Sequence, residues 1–97
     1  MGQYDVRINE RADRQISAAL RWWSRNRLLA PDLLRSEIAH AIALIRAHPR
    51  IAPPTSGHDR RARRMVLPRT GYLLYYSLCR DGALEVRRLI HGARTHR

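Results

Sequence analysis

The sequence predicts an α+β fold in one domain over residues 1–97: an N-terminal strand, an antiparallel helix hairpin and then a three-stranded antiparallel meander, with the helices packed on one face of a four-stranded sheet. Three observations carry that reading. The last third of the chain is built of short runs rich in Val, Ile, Leu and Tyr, a composition that suits a pleated, half-buried surface. Two stretches before residue 49 repeat their apolar residues at helical spacing instead. A short N-terminal run alternates apolar and polar residues, as a strand with one buried side does.

Taken in order, residues 3–8 place Tyr4, Val6 and Ile8 on one face of the first strand. Asn9 follows where a helix N-cap belongs, its side-chain oxygen able to accept from a free N–H, and Glu10 and Asp13 suit the positive end of the helix dipole. From Glu10 to about Asn26, the residues Ala12, Ile16, Ala19, Leu20 and Trp23 fall on one stripe that faces the sheet. Trp22 lies at the edge of that stripe beside Gln15, where it packs between helices or meets a partner. Pro31 is placed to be the first residue of a second helix, where its missing N–H costs nothing. Leu34, Ile38, Ala41, Ile42 and Ile45, widened by Leu33 and Leu44, give this helix a face that reaches both its neighbour and the sheet. Pro49 ends it, and residues 49–62 read as an irregular loop.

The meander follows as Arg63–Leu67, Tyr72–Cys79 and Ala83–His91. Between the first two strands, Pro68 sets φ early in a turn and Gly71 is free to take positive φ late in it. Asp81 and Gly82 form the dipeptide favoured by a two-residue hairpin loop.

Composition narrows the function classes. The hydrophobic content of 44% in periodic blocks argues for a packed core, and the formal net charge of +11 is large for 97 residues. All 19 basic side chains are Arg, whose planar fork grips phosphates and carboxylates at two points. An anionic partner is therefore expected, although a solvated surface or a coding bias toward Arg accounts for the same count. Cys79 is the single cysteine and has no disulfide partner within the chain, and no cluster has metal-ligand spacing. No cofactor is expected. With no apolar leader and no run long enough to cross a bilayer, a cytoplasmic protein without membrane contact is expected.

The order of elements, together with LIRAHP at residues 44–49, RRMVLPRTGYLLYY at residues 63–76 and LIHGAR at residues 89–94, resembles the RelE/ParE toxin superfamily of bacterial type II toxin–antitoxin systems over nearly the whole chain. The resemblance implies a toxin held in check by a ParD-like or RelB-like antitoxin and forming a hetero-oligomer with it. ParE-like members poison DNA gyrase, whereas RelE-like members are ribosome-dependent mRNA endonucleases. The HGAR ending and the RTGYLLYY block are closer to the ParE side. The alternatives are an mRNA interferase and a non-toxic remnant that still binds its partner.

Cleavage of RNA by its own 2′-hydroxyl needs a group to take a proton, a group to give one, and cations on the developing phosphorane. Regular alternation puts Glu85, Arg87, Leu89 and His91 on one face of the last strand, and Leu84, Val86, Arg88 and Ile90 on the other. The first set is the more polar and is expected to point away from the helices. An interferase reading then uses His91 as acid or base, Arg87 and Arg64 on phosphate, and Tyr75 for stacking on a base. Glu85 is the one carboxylate on that strand, so proton transfer is thinly supplied and the chain reads as a binder more than as an enzyme. Arg63, Arg64, Arg87, Arg88, His91 and Arg94 are the expected target contacts. Trp22, Arg60, Arg61 and Tyr72 are the expected antitoxin contacts. Structural roles compete for several: His91 as a hydrogen-bonded strand end, Arg94 as a carbonyl cap, and the tyrosines as sheet core.

Overall fold

The computed structural model describes residues 4–56 and 61–92. Its elements are β1 (Val6–Ile8), α1 (Glu10–Asn26), α2 (Leu33–Ala47), β2 (Ala62–Leu67), β3 (Tyr72–Leu78) and β4 (Leu84–His91). The sheet has the order β1-β4-β3-β2. β2, β3 and β4 form the antiparallel meander, and β1 lies at the edge, parallel to β4, with Val6 opposite Leu84. The sheet is therefore mixed, and its first strand sits beside its last.

Local chemistry sets the helix ends. Asn9 caps α1 by accepting from the Ala12 N–H at 2.8 Å, as its place in the sequence predicts. The second helix starts two residues later than expected. Ala30 O accepts from the Leu33 N–H at 3.2 Å, so Pro31 and Asp32 belong to the turn between the helices and not to α2. Trp23 is buried, and its indole N–H donates to Ala30 O at 2.8 Å, tying that turn back onto α1. The β3–β4 hairpin also differs from expectation. Cys79 N–H donates to Ala83 O at 2.7 Å, which leaves a three-residue loop in which Gly82 takes φ +87°. Asp81 Oδ1 accepts from the Ala83 N–H at 3.0 Å and pairs with Arg7 on β1. The Ala83 N–H first, and Arg7 after it, hold the Asp81 carboxyl below its ordinary range.

One face of the sheet is covered by the helices, α1 along β4 and α2 toward β2. Ala12, Ala19 and Trp23 of α1 and Leu34, Ile38, Ala41 and Ile45 of α2 meet Leu67, Tyr72, Leu74, Tyr76, Leu84, Val86 and Leu89 in one core. The helix stripes are those that the apolar spacing predicts. The loop before β2 is anchored rather than loose. Tyr76 is fully buried, and its hydroxyl donates to Pro49 O at 2.7 Å and accepts from the Ala52 N–H at 3.4 Å. Burial pushes that hydroxyl above its ordinary range.

Candidate target-binding face

The uncovered side of the sheet is set by one irregularity. Tyr75 lies opposite Arg88, but Tyr76 lies opposite Val86, so β4 carries one extra residue at Arg87. This is a β-bulge, and it reverses the alternation beyond it. Before the bulge Leu84 and Val86 are buried against the helices. After it Leu89 is buried there too, and His91 follows Leu89 to the same side.

The expected facing of the last strand is corrected accordingly. Glu85 and Arg87 do lie on the open face, but Leu89 and His91 do not, and Arg88 and Ile90 take their place. The physical reason is the inserted residue, which leaves Arg87 and Arg88, neighbours in sequence, on the same face. Apolar spacing does not reveal this bulge, because residues 84–91 contain no glycine to mark one.

On the open face Arg64, Tyr75 and Arg88 form a row across three strands, Arg64 opposite Tyr75 and Tyr75 opposite Arg88. The Arg88 guanidinium stands 4.2 Å from the centre of the Tyr75 ring, a cation–π contact that fixes the charge over the sheet. Arg64 is exposed, and no hydrogen bond or ion pair joins its side chain to another described residue. Arg87 Nη1 reaches Ser77 Oγ at 3.4 Å and Glu85 Oε1 at 3.9 Å. Arg61 and Arg80 border Ser77, Glu85 and Arg87 at one end of this face. Arg64 and Arg88 on either side of Tyr75, with Arg61, Arg80 and Arg87 near Glu85, make this a cationic surface with one strand carboxylate. Tyr75 is buried beneath Arg88 and has no free ring face for a base.

The remaining expected site residues are elsewhere. Arg63 points to the helix side, where Nη1 donates to Ala52 O at 2.6 Å and to Arg50 O at 3.4 Å, so it pins the loop. His91 packs edge-on against Tyr72, with ring centres 4.9 Å apart. The four residues of the interferase constellation are therefore divided: Arg64, Tyr75 and Arg87 on the open face, His91 behind the sheet. Arg60 and Arg94 lie outside the described residues. Trp22 and Tyr72 do come together, lining a groove of about 470 Å³ between α1 and the end of β4 with Gln15, Leu89 and His91. Arg61 lies at the opposite end of β3, so the expected antitoxin contacts do not form one patch.

Two supporting residues escaped the sequence reading. Gln15 Oε1 accepts from the Leu89 N–H at 2.9 Å, holding the strand just past the bulge. Gly92 passes so near Gly71 that a Cβ on it would lie 3.0 Å from Gly71 O, so a glycine here permits the close approach of the two backbones. Gly71 itself takes the expected positive φ, +82°. Among the described residues no group of His, Cys, Asp and Glu could hold a metal ion, and no helix is long and apolar enough to cross a membrane.

Fold and face together describe a small α+β domain that carries a cationic sheet surface. Comparison with known proteins is specific. The sequence matches the family described as the ParE toxin of the type II toxin–antitoxin system, parDE, over residues 6–96. The chain belongs to that family. A chain of the solved structure titled "Chromosomal ParDE TA system from P. aeruginosa" superposes with a TM-score of 0.70, at 10% identity, over 94% of this chain and 98% of that one. At that identity the likeness speaks for the fold. A search of curated proteins finds no match.

Proposed function

We propose that this toxin acts by binding, that its target is DNA gyrase, and that it is neutralised by an antitoxin. The observation that carries the reading is the bulge, which gathers Arg87 and Arg88 with Arg64 on the open face and removes His91 from it. A surface of that kind grips an acidic protein or a nucleic-acid backbone through fixed guanidiniums. Among the described residues, proton transfer for RNA cleavage is thinly supplied on this face: Glu85 is the one carboxylate of β4, and His91 lies on the other side of the sheet. Arg64, Arg87 and Arg88 are the contacts of this reading, and Arg94 is proposed to join them.

The test is direct. The purified chain, incubated with gyrase, relaxed plasmid and ATP, is expected to block supercoiling or trap cleaved DNA. No effect at stoichiometric excess would sink the reading. Programmed ribosomes supply the opposing assay, because codon-placed mRNA cuts would mark an interferase.

A further inference from the structure

We propose that the edge of β2, with the groove between β2 and α2, receives an extended acidic segment of the antitoxin, added as a fifth strand; this rests on the toxin–antitoxin reading above. The chain itself shows that this edge accepts a strand. Pro54 lies opposite Arg63 in an isolated antiparallel bridge. Thr55 N–H donates to Ala62 O at 2.9 Å, and Arg64 N–H donates to Pro53 O at 3.1 Å. Backbone groups alternate sides along a strand, so Val66 turns its N–H and C=O the same way as Ala62 and Arg64, away from β3. No described residue pairs with them there. The added strand stops at Pro53, one residue pair short of Val66.

Beside that open stretch lies an apolar groove of about 460 Å³, formed by Ala41 and Leu44 of α2 and Met65 and Leu67 of β2. An extended segment at the edge sends alternate side chains into this groove and the others past exposed Arg64 and Val66. Charge selects the occupant. The one carboxylate of the groove, Glu37, is already held by the 68–71 turn, accepting from Arg69 N–H at 2.8 Å and Thr70 N–H at 3.0 Å. Arg69 and Arg64 remain to attract carboxylates. A second copy of this chain would bring +11 against +11, which disfavours self-pairing. The stretch of β4 that runs beyond β1 is closed at Leu89 by Gln15, and β1 at the other edge is only three residues long.

Amide hydrogen exchange on the full chain, free and in complex with its co-expressed, co-purified antitoxin, tests the proposal. In the complex the Val66 amide is expected to slow on the order of a hundredfold, while Met65 and Leu67, whose N–H groups already face β3, change little. Val66→Pro removes the outward donor and leaves the β2–β3 ladder whole, so it is expected to weaken the complex about tenfold without lowering the melting temperature of the free chain. Trp22→Ala, in the other groove, is expected to have a smaller effect. A freely exchanging Val66 amide in an intact complex, or protection confined to α1 around Trp22, overturns the proposal and leaves the toxin–antitoxin reading standing. If no complex forms at all, both fall.

Discussion

Glu37 holds Thr70 twice: its Oε1 accepts the Thr70 hydroxyl at 2.7 Å and the Thr70 N–H at 3.0 Å. With Arg69 N–H on Oε2 at 2.8 Å, one side chain of α2 organises the whole β2–β3 turn and closes the end of the α2–β2 groove. Thr70 is buried, so removing the carboxylate leaves its polar groups without partners. Glu37→Ala is expected to cost about 2–3 kcal/mol, read as a lower midpoint in urea with little change in slope. A loss under about 0.5 kcal/mol would show that water replaces the carboxylate.

Tyr76 gives a pH signature. Its hydroxyl is protonated and hydrogen-bonded in the fold, and burial raises it above its ordinary value of 10.0. The native state therefore keeps a proton that the unfolded chain releases first. Its contribution to stability is complete below about pH 10 and is lost as pH rises through the raised value. Unfolding free energies measured from pH 8 upward are expected to fall more steeply in the wild-type chain than in Tyr76→Phe. At neutral pH that variant is expected to lose about 1–2 kcal/mol, because Pro49 O and Ala52 N–H lose their partner.

Arg63 and Arg64 are adjacent yet should respond oppositely. Arg63 secures the loop through Ala52 O, so Arg63→Met is expected to destabilise the fold by about 1–3 kcal/mol. Arg64 is exposed and makes no such bond, so Arg64→Glu is expected to leave the melting temperature nearly unchanged while weakening target inhibition about tenfold. Thermal melts alongside supercoiling assays separate the two roles. Equal loss of fold in both variants would contradict the opposite facing of the two side chains.

On the same logic, Arg88→Glu is expected to weaken gyrase inhibition by about tenfold or more, whereas His91→Ala should leave it within about threefold. Dose–response curves of supercoiling against toxin concentration decide the matter. A selective loss in His91→Ala, with the fold intact by circular dichroism, would return the histidine to the working face.

Much of this architecture is legible in the residues. Asn9 announces a cap, the spacing of Ala12, Ala19 and Trp23 draws the α1 stripe, and Gly71 marks the end of the β2–β3 turn. What escaped depended on contacts distant in sequence. The neighbour of β1 is decided by how the helix hairpin returns the chain across the sheet, and no residue of β1 encodes it. Arg63 and Arg64 look alike in sequence, and only the pairing of β2 separates the loop pin from the exposed cation. The facing of His91 turned on the extra residue at Arg87, which the strand's composition does not advertise.

That extra residue works as a phase shift in the strand. Every side chain beyond it points opposite to where an uninterrupted strand would send it, so the sheet's chemistry depends on a count rather than on an identity. Deleting Arg87 would remove the bulge and leave a regularly alternating strand in which Leu84, Val86, Leu89 and His91 still face the helices and Glu85, Arg88 and Ile90 still face outward. Changing Arg87 to another residue would remove one charge and keep the two surfaces apart. A single-residue deletion at this point thus removes one charge and the irregularity of the strand, and it leaves both faces of the sheet as they are.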